Sequence, residues 1–360
     1  MQGVWLSFFC SLIIALLAIP TIIKVSYLKH LYDVPDDRKT HGRVIPTLGG
    51  LAIFAGFMIS LCIFAPNHDV FITYKYLLAA VLIIFFIGLK DDILIISPIK
   101  KLAAQILAVS IIVLFGGVRL TSMYGLFGIE EISFEMGVML TIFTMLVIMN
   151  GFNLIDGINL LSGGIGEVVV TTFGAWFYLN EFYALAIICS SLVGALIGFL
   201  WFNKTPAQIF MGDTGSLIVG LITSLICIKF IELNEFSTRL SVNSVPLIAF
   251  AVLIVPLFDT LRVFTWRILK GNSPLHPDRN HIHHRLLEIG FSHMKSSLLI
   301  MLANILIIII AYTLQRLKVG SIPLLIILLT IAGTLSFIPS LIIRKRRNTI
   351  FSEGDKTQSL

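Results

Sequence analysis

The chain has 360 residues, of which 57% are hydrophobic and only 13% are charged. A soluble globular domain carries about twice that charged fraction, so the composition excludes an ordinary soluble protein and predicts an integral membrane protein. The formal net charge of +6 is accounted for by membrane topology, as described below, and does not require a nucleic-acid partner.

Long apolar runs follow one another along the chain, separated by short polar segments. Most runs have about 17–23 residues and are continuous, which is typical of membrane helices and not of membrane β-strands. Only helices and closed barrels satisfy their backbone hydrogen bonds in lipid, so we predict an all-α, polytopic integral membrane protein. The eleven predicted spans cover residues 4–23, 46–65, 74–90, 102–118, 134–150, 159–179, 182–202, 214–233, 244–264, 296–314 and 321–343.

The distribution of lysine and arginine predicts the orientation of these spans. No basic segment precedes the first apolar run, and Lys24 and Lys29 follow it, which favours a retained span over a cleaved signal peptide. With the N-terminus outside, 20 of the 26 Lys and Arg residues lie on the inner side and 6 on the outer side. Because positive residues favour the cytoplasmic side, the C-terminus is predicted to be cytoplasmic. We predict one integral membrane domain, 1–343, followed by a basic cytoplasmic tail, 344–360.

Five polar segments lie at the predicted inner ends of the spans, whereas the outer loops carry few such groups. In the most distinctive one, MNGFNLIDGINLLSGG, Asn150, Asn153 and Asp156 follow one another at steps of three. A helical continuation puts them on one face, so that their side chains converge. Polar groups at the mouth of membrane helices are costly and usually mark a site, although a solvated loop is the simpler alternative. The other segments are DVPDDRKTHGRVIPTLGG, LKDD with SPIKKLAAQ, FNKTPAQIFMGDTGS and RILKGNSPLHPDRNHIHHRLLEIGFS.

The charged groups of these segments are chemically complementary. The acidic set is Asp91, Asp92, Asp156 and Asp213, and the cationic set is Lys101, Arg267, Arg279, His281, His283 and His284. Carboxylate and amide oxygens suit Mg²⁺ or Mn²⁺. Cations beside a metal held in this way are what a diphosphate requires, because phosphoryl transfer depends on positioning and charge neutralisation. The segment from Met211 to Ser216 also opens a helix, whose free amides favour phosphate oxygens.

Simpler interpretations exist for the individual motifs. Asp91 and Asp92 alone could end a helix in solvent, and Asp213 could be only the N-cap of the following span. The three histidines of HIHH do not share a helical face, and no cysteine lies near them, so phosphate binding or proton transfer is favoured over zinc. Five such clusters on one side of the membrane favour a functional site.

Four motifs in order, the DD pair, NxxNxxDG, FMGDTGS and HPDRNHIHH, make the chain resemble the polyprenyl-phosphate N-acetylhexosamine-1-phosphate transferase family, also called the glycosyltransferase 4 family. The resemblance runs from Asp33 to Ser292, and HPDRNHIHH is similar to the bacterial N-acetylglucosamine-1-phosphate branch. It implies a transferase that uses a UDP-N-acetylhexosamine, undecaprenyl phosphate and Mg²⁺ or Mn²⁺, and that releases UMP.

The resemblance also implies a biological setting. The enzyme would be a multi-pass protein of the bacterial cytoplasmic (inner) membrane, with its active site on the cytoplasmic face. It would begin a cell-surface polysaccharide, as in lipopolysaccharide O-antigen or cell wall biogenesis. N-acetylglucosamine is the default sugar, with N-acetylfucosamine and N-acetylquinovosamine as alternatives. A homodimer follows by analogy.

Residue roles are likewise implied by the resemblance. Asp213 would be the main metal ligand, helped by Asn153, and Asp91, with Asp92 beside it, would deprotonate or orient the lipid phosphate. The catalytic set is Asp91, Asp92, Asp156, His281, His283 and His284; the phosphate-binding set is Lys101, Arg267 and Arg279; the nucleotide and sugar set is Asn150, Asn159, Asn203 and Phe210. Related sequences commonly read DGxDG, whereas Asn159 replaces the second aspartate here and exchanges a charge for a hydrogen-bond donor.

Several alternatives stay open from sequence. The lipid phosphate could attack the β-phosphorus directly, or an aspartyl-phosphate could form on Asp91 or Asp92. Apolar grooves between spans would hold the polyprenyl tail. A transporter is the rival from another class, but transporters carry ionisable residues near the bilayer midplane and often show paired repeats, which we do not find here. A membrane phosphatase or a scaffold is a further rival.

Overall fold

A computed structural model describes residues 1–31, 44–65, 71–269, 271 and 281–357, without the side chains of 71–73 and 346–357. The described residues form an almost entirely helical protein, which confirms the predicted all-α class. The helices are α1 Gln2–Leu28, α2 Gly49–Phe64, α3 Phe71–Ile93, α4 Pro98–Ser110, α5 Phe134–Ile155, α6 Leu161–Leu179, α7 Tyr183–Asn203, α8 Gly212–Leu233, α9 Val245–Val252, α10 Ile254–Leu269, α11 Ile282–Ile289, α12 His293–Arg316 and α13 Ser321–Thr357. A π-helical turn, Ile111–Phe115, extends α4, and a 3₁₀ turn, Asn234–Phe236, follows α8.

Every predicted span coincides with a helix or with a pair of helices in the described part of the chain. By length and composition, seven helices can cross a membrane, or eight when α9 and α10 count as one bent span. Helix α2, for example, has only 16 residues, fewer than the roughly 20 needed to cross the hydrocarbon core. The polytopic membrane protein is therefore confirmed, while eleven crossings and the orientation of the termini stay predictions.

The predicted span 244–264 is broken, because α9 and α10 meet at an angle of 82°. Pro256 lies in the first turn of α10 and has no backbone N–H to donate to the carbonyl of Val252. That carbonyl accepts a hydrogen bond from Asn304 Nδ2 of α12 instead (3.2 Å). The bend directs α10 towards α5 and α11.

Two elements were not predicted. A short antiparallel hairpin, β1 Ser122–Leu126 and β2 Ile129–Glu131, follows α4, and the hydroxyl of Tyr124 fastens it to the carbonyl of Ile231 in α8 (2.7 Å). Helix α11 lies in the long loop before α12 and is too short to cross a membrane. Both elements are too short for a strong periodic pattern in the sequence.

Helix α8 forms the centre of the protein, and most of its side chains are buried. Glycines bring its neighbours close: a Cβ atom on Gly50 of α2 would lie 2.3 Å from the backbone nitrogen of Gly215, and one on Gly88 of α3 would lie 2.6 Å from Thr214 Cα. Small residues allow this close packing of membrane helices. The N-terminus of α8 is thereby held between α2 and the C-terminal end of α3.

Candidate functional site

Four helix ends meet around the side chain of Lys101. Its ammonium nitrogen lies 3.1 Å from Asp91 Oδ2, 2.7 Å from Asp213 Oδ2 and 3.4 Å from Asn153 Oδ1. These groups come from the start of α4, the end of α3, the start of α8 and the end of α5. Four residues that the sequence assigned to metal, phosphate or catalysis therefore form one cluster, which we call the Lys101 cluster.

Hydrogen bonds within the Lys101 cluster fix the metal-ligand candidates relative to each other. Asn153 Nδ2 donates to Asp213 Oδ1 and to Ser216 Oγ, the latter at 3.0 Å. One turn earlier on the same face of α5, Asn150 Nδ2 donates to Gln105 Oε1 of α4 (2.8 Å). The predicted shared face of Asn150 and Asn153 is present, and it packs on α4.

Asp92 differs in its environment from its neighbour Asp91. Its Oδ1 accepts the backbone N–H of Asp213 (2.7 Å), and its Oδ2 accepts the backbone N–H (3.0 Å) and the hydroxyl (2.5 Å) of Thr214. A carboxylate in this position caps the first turn of α8 and complements the positive end of the helix dipole. Asp91 is held by the backbone N–H of Ile96 (2.9 Å) and leaves Oδ2 for Lys101.

Asp156 follows the last residue of α5, beyond Asn153. Burial, followed by the negative charges of Asp213 and Asp92, raises the pKa of its carboxyl to about 8. Carboxylates that repel each other in this way are stabilised by a cation placed among them.

The donor set fits a hard divalent cation. Within the described ranges, no three His, Cys, Asp or Glu side chains could hold a metal ion by themselves. Magnesium in phosphoryl-transfer sites usually takes only one or two carboxylates and completes its octahedron with water and substrate phosphates. Asp91, Asp213 and Asn153 meet that requirement, because their oxygens converge on a single cationic atom, the ammonium of Lys101.

The histidine segment is held by a residue that sequence reasoning missed, Asp259 of α10. Its Oδ2 lies 2.8 Å from His281 Nδ1, and its Oδ1 accepts hydrogen bonds from Arg262 Nη2 (2.8 Å) and from the backbone N–H of Ile282 (3.2 Å). The available signal was a carboxylate inside an apolar run, which by itself indicates a functional residue in a membrane protein.

His283 is only 1% exposed, and its ring faces Gly157. A Cβ atom at position 157 would lie 2.4 Å from His283 Nε2, so the close approach requires glycine. Neither ring nitrogen has a hydrogen-bond partner among the described groups. Burial, followed by the neighbouring His284, lowers the pKa of His283 to about 3, so the imidazole is neutral. The two rings lie 4.2 Å apart.

Of the four residues assigned to the nucleotide and sugar, Asn150 of α5 packs on α4 beside the Lys101 cluster, whereas Asn159, Asn203 and Phe210 lie near the start of α6 and the segment before α8. Asn203 accepts the N–H of Leu160 (2.7 Å) and donates to the carbonyl of Ile209 (2.8 Å). Asn159 donates to Thr205 Oγ1 (3.3 Å), while its Oδ1 has no partner in the described part of the protein. Phe210 pairs through its backbone with Pro46 and Gly49 of the segment leading into α2.

Two predicted phosphate-binding arginines remain. Arg267 is 5% exposed and lies with its guanidinium carbon 5.7 Å from the centre of the Phe264 ring. Arg279 lies outside the described residues.

Comparison with known proteins agrees with the motifs. The sequence profile of glycosyl transferase family 4 matches residues 74–231. The chain is 32% identical over 315 residues to the probable undecaprenyl-phosphate N-acetylglucosaminyl 1-phosphate transferase of Bacillus subtilis strain 168, covering 86% of this chain and 84% of that protein. It is 31% identical to the undecaprenyl-phosphate alpha-N-acetylglucosaminyl 1-phosphate transferase of Escherichia coli K12 (79% and 76% covered), and 30% identical to that of Yersinia pestis (82% and 80% covered). The chain therefore belongs to glycosyl transferase family 4.

Proposed function

We propose that the protein transfers N-acetylglucosamine-1-phosphate from UDP-N-acetylglucosamine to undecaprenyl phosphate and releases UMP. The observation that carries this proposal is the Lys101 cluster, in which one ammonium and three oxygen donors from four helices converge. The names of the related transferases, which specify the same sugar phosphate and lipid, support the assignment.

The bond changes follow from the substrates. An oxygen of the lipid phosphate forms a bond to the β-phosphorus of the UDP-sugar, the bond from that phosphorus to the bridging oxygen breaks, and UMP leaves with the bridging oxygen. A phosphate monoester has a second pKa near 6, so much of the lipid phosphate is already dianionic at neutral pH and no strong base is obligatory. The remaining obstacle is the repulsion between two anions.

The residues of the cluster address that repulsion. Lys101 supplies a positive charge at the meeting point, and Asp91, whose Oδ2 pairs with that ammonium, would orient the lipid phosphate. Asp213 and Asn153, with Asp91, would hold Mg²⁺, which when bound neutralises charge on the phosphate oxygens. Because both oxygens of Asp92 are engaged by α8, an aspartyl-phosphate on Asp92 is disfavoured relative to direct attack.

An apolar cavity offers a place for the start of the polyprenyl chain. It has a volume of about 320 Å³, lies between α10, α11, α12 and α13, and is lined by apolar side chains apart from Asp259 and Ser336. We propose that the first isoprene units lie in this cavity, with the phosphate near His281. Arg267 and Arg279 would assist in binding phosphate groups.

The cellular setting follows from the same proposal. Positive-inside topology supports an active site on the cytoplasmic face of a bacterial inner membrane, where the soluble donor and the lipid acceptor meet. The product would begin a cell-surface polysaccharide, and a homodimer is proposed by analogy with the family. Asn159, which stands where related sequences commonly have aspartate, is the observation that keeps a modified sugar such as N-acetylfucosamine as the second candidate.

The decisive experiment measures UMP release by purified protein from a panel of UDP-N-acetylhexosamines, with undecaprenyl phosphate and Mg²⁺. We expect release that requires the lipid, stops with a chelator and is lost in an Asp213→Ala variant. If the protein prefers a different UDP-sugar, only the identity of the donor in the proposal changes. If the folded protein releases no UMP from any donor, the transferase proposal is wrong.

A further inference from the structure

Asp259 is a buried carboxylate in a helix that is otherwise largely apolar. It is 4% exposed and lies in the first half of α10, just after the bend at Pro256. Burying an ionised carboxylate is costly unless other groups satisfy it. Its partners therefore indicate what the residue is for.

Each oxygen of Asp259 has a defined partner in the loop segment that carries the histidines. Oδ1 accepts the N–H of Ile282, the first residue of α11, and the guanidinium of Arg262 also donates to it. Asp259 thus caps α11 from a different helix, since the first N–H groups of a helix have no partner within it. This contact fixes where α11 begins.

Oδ2 is left for His281, at 2.8 Å from Nδ1, and both side chains are almost fully buried. A carboxylate can only accept a hydrogen bond, so Nδ1 must carry a proton. In the neutral imidazole, the other nitrogen, Nε2, is then an acceptor. The geometry determines which ring nitrogen of His281 remains for a substrate.

We propose that Asp259 is a positioning residue that holds His281 in its Nδ1-protonated tautomer, so that Nε2 accepts a hydrogen bond from the P–OH group of the lipid phosphate monoester in its monoanionic form and can take up that proton to give the attacking dianion. Asp259 and Ile282, which flank His281, also line the apolar cavity, so a polyprenyl chain in that cavity would place its phosphate beside His281. The inference rests on the proposed transferase function and adds a residue that acts through His281.

The test changes the tautomer of His281 with a substitution at position 259 that keeps the size and shape of the side chain. In Asp259→Asn, the amide oxygen can still accept from Ile282 and Arg262, but the amide nitrogen donates to His281 Nδ1 and forces the proton onto Nε2. We expect kcat for UMP release to fall about 100-fold or more, with KM for UDP-N-acetylglucosamine within about threefold of wild type. Asp259→Glu, which keeps the carboxylate, is expected to retain more activity than Asp259→Asn.

A double-mutant cycle shows whether Asp259 acts through the histidine. If it does, adding Asp259→Asn to a His281→Gln variant costs no further activity, because the group that it orients is absent. The matched control is Thr260→Val on the same turn of α10, since the buried Thr260 hydroxyl has no partner among the described groups. This control should leave kcat unchanged.

Two outcomes would overturn the inference. One is a wild-type kcat in Asp259→Asn, and the other is a double variant whose loss of activity equals the product of the losses in Asp259→Asn and His281→Gln. If Asp259→Asn fails to fold, Asp259→Glu and Asp259→Gln make the same comparison in a longer side chain, and equal activity of these two would also overturn it. Failure of the proposed function is a separate result, because the wild-type protein itself would then release no UMP.

Discussion

Thr214 donates two hydrogen bonds to the carboxylate of Asp92, one from its backbone N–H (3.0 Å) and one from its hydroxyl (2.5 Å). Asp92 thereby fastens the end of α3 to the first turn of α8, where Asp213 resides. Adjacent aspartates consequently have different tasks: Asp92 supports the metal-ligand candidate, and Asp91 faces Lys101.

We predict that Asp92→Asn lowers the free energy of unfolding by about 1–3 kcal/mol. The two carboxylate oxygens of Asp92 both accept hydrogen bonds from α8, whereas an asparagine amide has one accepting oxygen and one donating nitrogen. Asp91→Asn should keep nearly the wild-type stability, because the amide oxygen can still accept the N–H of Ile96. It should lose activity, because the carboxylate that faces Lys101 is replaced by a neutral amide. Thermal unfolding in detergent and UMP release would be measured on both variants. Equal unfolding midpoints would contradict the division of tasks.

Lys101 lies at the point where a bound cation would meet Asp91, Asp213 and Asn153. We predict that Lys101→Met reduces kcat by about 100-fold or more, because the variant lacks the fixed positive charge of the ammonium beside the reacting phosphates. The same variant should bind Mn²⁺ more tightly in the absence of substrate, since the ammonium no longer competes for the oxygens. Electron paramagnetic resonance of free Mn²⁺ measures this affinity.

Lys100→Met is the matched control for that experiment, because Lys100 is the adjacent residue and is exposed. It should change neither quantity by more than about twofold, as is usual for a surface substitution. Unchanged Mn²⁺ affinity in Lys101→Met would show that the ammonium and the metal do not share these oxygens.

Gly157→Ala should impair the enzyme through His283. The added Cβ atom would lie 2.4 Å from Nε2 of a ring that is already buried, so the ring or the segment after α5 must move. We expect at least a tenfold loss of activity and about 1–3 kcal/mol of destabilisation. Gly333→Ala on α13 provides the comparison, because its nearest atom, Phe258 Cζ, would lie 3.9 Å from the new Cβ. Equal behaviour of the two variants would mean that the contact with His283 is not restrictive.

His283 should make stability depend on pH. The folded protein holds its pKa near 3, below the ordinary value of 6.5, so between these values the unfolded chain binds more protons and stability decreases as the pH falls. The expected loss between about pH 7.5 and pH 5 is about 2 kcal/mol. A His283→Gln variant, which does not titrate in this range, should show a smaller decrease in its thermal midpoint. Parallel midpoint curves for both proteins would contradict this prediction.

Local patterns in the sequence were sufficient for the membrane class, the long apolar helices and most of the Lys101 cluster, but not for α11 or the hairpin. Asn150 and Asn153 were predicted to share a face because helical periodicity is local, and both indeed face α4. Contacts between side chains that are far apart in the sequence could not be predicted from local patterns. Asn159 and Asn203 were assigned to the nucleotide and sugar, yet Asn203 uses both ends of its amide to tie Leu160 to Ile209.

Sequence alone determined that this is a helical membrane protein with carboxylates, amides and cations gathered at one end of its helices, because helix formation and membrane burial depend on runs of neighbouring residues. Only the tertiary structure decided the task of each group. Which of two adjacent aspartates meets Lys101, and whether a carboxylate in an apolar helix reaches His281, depends on the distances between side chains of helices far apart in the chain. Such distances are set by packing, here by the bend at Pro256 and by glycines that bring α2 and α3 against α8.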